Sequence, residues 1–260
     1  MFRFAANLSY LFLERPFLER FAAARAAGFA AVEFHFPYAF DQAVLSEVVL
    51  TSGVEVVLFN LPAGHWAAGE RGIACHPDRV AEFQDGVGLA IEYARALGCV
   101  RLNCLAGNVP TGLSPEKATE TLVENLLFAA SVTQRAGIEL LLEPLNSRDN
   151  PGFLITTTRQ VLDVIAKAAC PNLRVQYDLY HAQVMEGNLA QTLEEHLPKI
   201  GHIQVADNPG RHEPGTGEIN FPFIFRQLGR LGYSGWVGCE YRPSTATTEQ
   251  SLAWMSDRTA

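Results

Sequence analysis

Four apolar segments in the second half of the chain each carry one oxygen-bearing polar side chain at or near their end. These side chains are Glu143 in LLLE, Asp178 in RVQYD, Gln204 in GHIQ and Glu240 in GWVGCE. A carboxylate or amide at the end of a buried strand is unfavourable unless something pairs with it. Four independently hydrogen-bonded residues are one alternative, but together they favour one divalent metal site. Oxygen-only ligation suits Mg²⁺ or Mn²⁺ better than Zn²⁺.

The same residue types suit proton transfer on a hydroxy-carbonyl compound. Removing a proton next to a carbonyl creates an enediolate, whose negative charge a nearby cation stabilises. A carboxylate on each side of the substrate could serve as base and acid, and Glu143 and Glu240 are the candidates. Asp178 and Gln204 would then be ligands only. On this basis Gln204→Glu, which keeps an oxygen ligand, is expected to reduce turnover less than changing either glutamate.

Three further polar side chains are expected to meet the substrate at the same mouth. His181, in DLYH, follows Asp178 closely enough to hydrogen-bond a substrate oxygen. Arg211 belongs to the polar loop 206–220 and could bind a substrate carboxylate. Glu33, in VEFHF, ends the second strand and is expected to line the mouth. A packed or solvated side chain is the alternative at each position.

The segments that must position these residues alternate between strand-like and helix-like patterns along the whole chain. Eight such units in about 250 residues are typical of an α/β protein with a (β/α)₈ TIM barrel, whose active site lies at the C-terminal ends of the strands. No linker or composition shift divides the units, which predicts a single domain over residues 1–260. The predicted strands are 2–8, 30–36, 55–61, 99–106, 138–145, 173–181, 201–207 and 234–241.

A doubly wound open sheet is the alternative fold. It would need a different use of the last strands, and the chain lacks a phosphate-binding loop. The segment GVGLAI at 86–91 superficially resembles a nucleotide motif. It lies inside a helical pattern and lacks the third glycine, so we interpret it as part of a helix.

Composition narrows the class of protein. A net charge of −8 is unlike that of nucleic-acid binders, which usually carry a basic face. The five cysteines are odd in number and lack C-x-x-C spacing, which predicts reduced thiols. No uncharged run reaches the roughly 18 residues of a membrane span. The N-terminal FAANLSYLFL is interpreted as a first strand and loop rather than a signal peptide. We therefore expect a cytoplasmic protein with no membrane partner, and a homo-oligomer is one open option.

Seven segments spread over nearly the full length carry a resemblance to a known family. They are RFAANLS, GFAAVEFHFPY, FNLPAGHWAAGERGIAC, LLLEPLN, QYDLYHAQVMEGNL, ADNPGRHEPGTGEIN and GWVGCEY. With them the chain resembles the hydroxypyruvate isomerase family of the xylose isomerase-like TIM barrels. The resemblance implies interconversion of hydroxypyruvate and tartronate semialdehyde, with Glu143 and Glu240 as acid and base. It also implies one divalent metal ion on Glu143, Asp178, Gln204 and Glu240.

One departure from the family pattern concerns His65, which stands where members usually carry an acidic residue. If His65 contacts the substrate, the substrate specificity differs from that of the family. If His65 lies on the loop surface, the substrate specificity is unaffected. Trp66 beside it could cover the pocket, although a packed tryptophan is the simpler expectation.

Other activities share parts of this pattern. Isomerases of four-carbon 2-oxo acids such as 2-oxo-tetronate, and ketose 3-epimerases, have the same ligand scheme, and Gln204 in place of a histidine argues against the epimerases. Apurinic endonucleases need a histidine-rich three-zinc cluster and a basic DNA face, which seven scattered histidines and a net charge of −8 disfavour. A non-catalytic sugar-acid binding protein would show no solvent deuterium exchange into its bound ligand.

Overall fold

The computed structural model describes residues 2–255 and contains eight parallel strands closed into a barrel in chain order. The first strand pairs with both the second and the eighth, which closes the ring. This confirms the predicted (β/α)₈ architecture. The strands are β1 Arg3–Asn7, β2 Ala31–Phe34, β3 Glu55–Asn60, β4 Arg101–Leu105, β5 Glu139–Glu143, β6 Leu173–Asp178, β7 Ile200–Val205 and β8 Trp236–Cys239.

α-Helices follow the first seven strands, two of them after β6, and a 3₁₀ helix, Glu249–Met255, follows β8. The α-helices are α1 Phe17–Ala26, α2 Gln42–Ser52, α3 Val80–Leu97, α4 Pro115–Arg135, α5 Thr158–Ala168, α6 Leu179–Met185, α7 Leu189–His196 and α8 Phe221–Arg230. Asp41 and Ser114 are the N-caps of α2 and α4, and their side chains accept backbone hydrogen bonds there. The segment 86–91 lies within α3, as predicted. Among the described residues, no helix combines the length and apolarity needed to cross a bilayer.

The prediction for the sixth strand was too long. A strand over 173–181 was expected, but β6 ends at Asp178 and α6 begins directly after it. The Asp178 carboxylate accepts the backbone N–H of Tyr180 at 2.8 Å and so caps α6. His181 therefore lies in the first turn of a helix rather than on a strand.

Two different layers fill the molecule. The space between the strands and the helices is apolar and continuous, with aromatic contacts such as Phe34 on Phe59 at 5.9 Å. Inside the barrel, a polar layer near the C-terminal ends of the strands carries the candidate site residues. A small apolar cluster lies below this layer, toward the N-terminal ends of the strands. The lower cluster consists of Ala5, Ala31, Val57, Leu58, Leu141 and Trp236.

Candidate active site

The four predicted ligand residues converge at the C-terminal mouth of the barrel, and all four are buried. Glu143, Asp178 and Gln204 lie on neighbouring strands, and Glu240 directly follows β8. The Gln204 Nε2 donates to Glu240 Oε2 at 2.5 Å. Strand ends alone therefore bring together side chains that are up to 97 positions apart in the sequence (143 to 240).

Arg211 joins two of these carboxylates. Its Nη2 donates to Glu240 Oε1 at 2.6 Å and to Asp178 Oδ2 at 3.3 Å, and its guanidinium lies 4.8 Å from the ring centre of Tyr10. Arg211 is buried, so the alternative of a solvated arginine is wrong. Its Nε–H has no hydrogen-bond partner among residues 2–255, which leaves a donor for a ligand.

The loop that carries Arg211 is held by one carboxylate, that of Asp207. This side chain accepts four backbone N–H groups at 2.8–3.0 Å, and Arg211 itself adopts a left-handed conformation with φ 57°. The loop therefore has a fixed path, which determines where the guanidinium lies. The four donors are Asn208, Gly215, Gly217 and Ile219.

Burial and mutual repulsion separate the acidities of the site carboxylates. Desolvation, with the charges of Glu240 and Asp178, raises the pKa of Glu143 well above its usual value. Desolvation also raises the pKa of Asp178 to about 7, although Arg211 opposes it. Burial acts in the same direction on Glu240, but contacts with His35 and Arg211 outweigh it and lower the pKa of Glu240. The site therefore contains two carboxyls with a raised pKa, Glu143 and Asp178, and one with a lowered pKa, Glu240.

The charge at this mouth is unbalanced. Counting only the three predicted carboxylate ligands, when ionised, and the arginine that pairs with two of them, Glu143, Asp178 and Glu240 carry three negative charges against one positive charge on Arg211, an excess of two. A divalent cation is the species that neutralises such an excess, and carboxylate oxygens suit Mg²⁺ and Mn²⁺. The residues present therefore fit the predicted metal ion.

His181 also lies within ligand distance. One ligand atom each from Glu143, Asp178 and His181 lie within 4.8 Å of one another, and this group could hold a metal ion. However, His181 Nδ1 accepts the backbone N–H of Asn146 at 3.0 Å, and desolvation lowers the pKa of His181 well below its usual value. A neutral ring that accepts at Nδ1 carries its proton on Nε2, which makes Nε2 a donor rather than a ligand.

Gln204 is more constrained than the sequence suggested. Its Nε2 donates to both Glu33 and Glu240, and its Oε1 accepts from Gln176 Nε2 at 2.7 Å. The second lone pair of Oε1 is what this amide can offer to a cation. A glutamate here would place a carboxylate oxygen between two others, so the expectation that Gln204→Glu is a mild change is reversed.

A cavity of about 810 Å³ opens above these residues. Its wall includes the predicted His181 and Arg211, and also Tyr10, His35, Trp66 and Arg71. Trp66 packs between the His35 ring at 5.6 Å and the Arg71 guanidinium at 4.1 Å, as expected for a packed tryptophan.

Two residues predicted to bind substrate lie elsewhere. Glu33 is fully buried inside the barrel and bonds to Gln204 and His202, so it lies beneath the site instead of lining the mouth. His65 is exposed and lies outside the cavity wall, because the loop after β3 turns Trp66 and Arg71 toward the cavity instead. The departure at His65 is therefore on the loop surface.

Several polar residues of the site were missed. Asn7, Asn60 and Asn103 end or nearly end β1, β3 and β4, and Asn103 Nδ2 donates to Glu143 Oε2 at 2.7 Å. Asn7 Nδ2 donates to Glu240 Oε2 at 2.9 Å. The signal was present, because a polar residue closing an apolar segment is the same pattern that pointed to the four predicted ligands.

Comparison with known proteins places this geometry among characterised barrels. The family model for xylose isomerase-like TIM barrels matches residues 21–258. The hydroxypyruvate isomerase of Escherichia coli (strain K12) is 54% identical over 255 residues, covering 98% of both chains. The 2-oxo-tetronate isomerase of Cupriavidus necator is 45% identical over 253 residues, covering 97% of both. A crystal structure of an AP endonuclease, family 2, from Brucella melitensis superposes with a TM-score of 0.96 at 46% identity, covering 99% of both.

Proposed function

The chain belongs to the xylose isomerase-like TIM-barrel family and to its hydroxypyruvate isomerase branch, and on that premise we propose that it interconverts hydroxypyruvate and tartronate semialdehyde. The observation that carries the proposal is a group of three buried carboxylates: Glu143 and Glu240 line the cavity, and Arg211 ties Glu240 to Asp178 beside it. Such a group combines a cation site with an acid and a base, which is what aldose–ketose isomerisation requires.

Glu143, Asp178 and Glu240 would hold one Mg²⁺ or Mn²⁺ ion, with Gln204 Oε1 as the fourth ligand. The support is the excess of two negative charges in a buried site and the all-oxygen donor set. When bound, the ion would supply electrostatic stabilisation of the negative charge that develops on the substrate oxygens.

Proton transfer falls to the two glutamates whose pKa values are driven apart, the pattern that assigns acid and base in other enzymes. Glu240 accepts a proton from C3 of hydroxypyruvate and so generates the enediolate of the substrate. Glu143 donates a proton to C2, and the hydroxyl proton moves from the oxygen on C3 to the oxygen on C2. In the reverse direction the two glutamates exchange roles.

His181 and Arg211 orient the substrate. Neutral His181 donates its Nε2–H to a substrate oxygen, because its Nδ1 is already occupied by the Asn146 N–H. Arg211 lines the cavity and keeps a buried Nε–H without a partner among the described residues, which suits a substrate carboxylate. Both contacts would hold the three-carbon chain across the two glutamates.

A second candidate substrate is a four-carbon acid. The cavity of about 810 Å³ leaves room beyond a three-carbon acid, and the relative from Cupriavidus necator is a 2-oxo-tetronate isomerase. Ketose 3-epimerisation is a more distant alternative, because ketose sugars carry no carboxylate for Arg211.

The deciding experiment measures kcat/KM of the Mn²⁺-reconstituted protein on hydroxypyruvate, 2-oxo-tetronate and a ketohexose. Hydroxypyruvate should give the highest value, with solvent deuterium incorporated at carbon. A higher kcat/KM on 2-oxo-tetronate would transfer the assignment to the four-carbon acid. Binding of hydroxypyruvate without deuterium exchange would instead indicate a non-catalytic binding protein.

The AP endonuclease name of the Brucella relative does not extend easily to this chain. Within residues 2–255, one group of His, Cys, Asp and Glu side chains is spaced to share a metal ion; it contains a single histidine, and the chain has a net charge of −8. We therefore keep the prediction that no nucleic acid is bound. A single domain over 1–260, a cytoplasmic location and a homo-oligomer also stay predictions.

A further inference from the structure

Glu33 lies inside the barrel directly beneath the candidate site and is surrounded by hydrogen-bond donors. Its Oε1 accepts from Asn7 Nδ2 at 2.9 Å and from Gln204 Nε2 at 2.7 Å. Its Oε2 lies 2.7 Å from His202 Nε2, and both side chains of this pair are about 1% exposed. A buried carboxylate therefore has three partners, and none of them is solvent.

The two amides on Glu33 are shared with Glu240. Asn7 Nδ2 donates to Glu240 Oε2 at 2.9 Å and Gln204 Nε2 donates to the same oxygen at 2.5 Å. An amide NH₂ has two hydrogens, so each amide uses one on Glu33 and the other on Glu240. The four hydrogen bonds form a closed ring between Glu33 Oε1 and Glu240 Oε2, which we call the amide ring.

The amide ring fixes which oxygen of Glu240 faces Arg211 and on which side the Gln204 Oε1 lies. Because Glu240 Oε2 is held from below, Glu240 Oε1 is the oxygen that faces Arg211 at 2.6 Å and His35 at 3.6 Å. The Gln204 amide cannot exchange its nitrogen for its oxygen, because an oxygen placed between Glu33 and Glu240 would be repelled by both. Oε1 of Gln204 therefore remains on the side of Gln176 and β6.

The eighth strand contains a recess for this carboxylate. A Cβ on Gly238 would lie 2.3–2.5 Å from the Glu33 carboxyl atoms, far inside contact distance. Gly238 lies two positions before Glu240 and hence on the same face of the strand. The glycine in GWVGCE is therefore required by space, and that space is occupied by Glu33.

Stability alone does not account for Glu33. A buried ion pair is often replaced by apolar residues of similar volume with no loss of stability. Here the donors on Glu33 also bond Glu240, and Gln204 is itself one of them. Partners that orient metal ligands from behind typically change metal affinity or activity by about 10–100-fold when removed.

We propose that Glu33 is a positioning residue, which through the amide ring fixes the orientation of Gln204 and Glu240. The inference rests on the proposed function, since it assigns Gln204 and Glu240 their roles there. Glu33 touches neither the substrate nor the metal ion. Its effect passes through the two amides, of which Asn7 is the one outside the predicted ligand set.

The test compares Glu33→Met with Glu33→Gln in full-length protein freed of metal. Methionine has similar length but no acceptor, so both amides lose a partner and Gln204 is free to turn. Glutamine retains an acceptor oxygen for the two amides, and its NH₂ can donate to His202 Nε2 in the neutral tautomer. The readouts are Mn²⁺ affinity, the bound Mn²⁺ EPR spectrum, kcat and KM on hydroxypyruvate, and Tm without metal.

We expect Glu33→Met to weaken Mn²⁺ binding about 10–100-fold and to lower kcat. Its KM should change less, and its bound Mn²⁺ spectrum should differ from that of wild type. Glu33→Gln should restore most of the affinity and the wild-type spectrum. Glu139→Gln, a change of a partly buried carboxylate at the opposite end of the barrel, should leave Mn²⁺ affinity unchanged.

A folded Glu33→Met protein with wild-type Mn²⁺ affinity, spectrum and kcat would overturn the inference, as would a Glu33→Gln protein no better than Glu33→Met. If Glu33→Met does not fold, Asn7→Ala decides, because it removes one amide and leaves Glu33. It should weaken Mn²⁺ binding in the same direction, and unchanged binding would count against the amide ring. Wild-type protein that binds Mn²⁺ but does not isomerise hydroxypyruvate would contradict the proposed function and leave these affinity comparisons intact.

Discussion

The two ends of strand β5 carry the same residue in opposite electrostatic situations. At the N-terminal end, Glu139 lies between Arg101 at 3.3 Å and Arg174 at 3.0 Å, so one carboxylate has two cations. At the C-terminal end, Glu143 accepts a hydrogen bond from the uncharged Asn103, while Arg211 forms its ion pairs with Asp178 and Glu240. Four positions along one strand separate a carboxylate whose charge is matched within the protein from one whose charge is not.

This difference distinguishes a carboxylate with a structural role from carboxylates with a functional role. The lower carboxylate closes an ion network at a half-exposed edge and needs nothing from outside. The upper carboxylates are buried with little positive charge in contact with them, which destabilises the folded state; under the proposed function a divalent cation offsets this cost. Proteins tolerate such a local loss of stability where function requires it. The uncompensated end is therefore the functional end.

The largest effect should follow from removing the metal ion. Chelation should abolish hydroxypyruvate isomerisation, and Mg²⁺ or Mn²⁺ should restore it, because three carboxylates would otherwise repel one another at the cavity floor. The measurement is kcat before and after exhaustive dialysis against a chelator, with and without added metal. Full activity in the demetallated protein would contradict the assignment of the upper end as a cation site.

The next largest effect concerns the two ends of β5 directly. Glu143→Gln should lower kcat by ~10²–10⁴, the usual contribution of a general acid or base, and excess metal should not rescue it. Glu240→Gln should behave alike, whereas Glu139→Gln should lower Tm and spare kcat. Steady-state kinetics at saturating Mn²⁺ measure all three. Near-normal kcat in both Glu143→Gln and Glu240→Gln would assign proton transfer elsewhere, with His181 the first residue to examine.

Gln204→Glu should add negative charge to the C-terminal end of the barrel. It replaces a donor held between Glu33 and Glu240 with a further carboxylate, and leaving such buried groups unpaired costs about 1–3 kcal/mol. We expect lower metal-free stability than wild type, with part of the loss recovered on adding Mn²⁺. Urea unfolding with and without Mn²⁺ measures this, with Gln204→Met as the uncharged control. A metal-free Gln204→Glu protein as stable as wild type would show that the upper end tolerates more negative charge than its geometry indicates.

A smaller effect should appear in the pH dependence of the metal-free protein. The pKa of Asp178 is raised from 3.8 in the unfolded reference to about 7 when folded, first by desolvation. A raised carboxyl pKa contributes stability that is present below pH 3.8 and is lost as the pH rises through about 7. Wild-type stability should therefore fall over this window relative to Asp178→Asn, which cannot ionise there. Parallel stability curves for the two proteins, from urea unfolding at each pH, would contradict the prediction.

Much of this arrangement could be predicted from sequence because strand ends in a barrel share one face. Eight alternating segments indicated the fold, and polar residues that close apolar segments located Glu143, Asp178, Gln204 and Glu240. The asparagines Asn7, Asn60 and Asn103 obeyed the same rule but were not counted. Asn7 donates to Glu240 and Asn103 donates to Glu143, while Asn60 Oδ1 accepts from Asn103 Nδ2.

The remaining errors have physical causes. Both faces of a barrel strand are buried. The apolar pattern around Glu33 therefore did not indicate whether its side chain lies at the mouth of the barrel or deeper in the interior. The position of His65 depends on the path of an irregular loop, which no hydrophobic periodicity in the sequence indicates. The end of β6 was misplaced because Asp178 serves at once as a strand end, a site carboxylate and the N-cap of the following helix.

The most direct test of the central claim is an equilibrium titration of the metal-free protein with Mn²⁺, read by EPR of the free ion. The account predicts one Mn²⁺ site per chain in wild type, the same site with unchanged affinity in Glu139→Gln, and a much weakened site in Asp178→Asn. Absence of a site in wild type, or equal weakening in Glu139→Gln and Asp178→Asn, would show that the charge imbalance at the C-terminal end does not bind a cation.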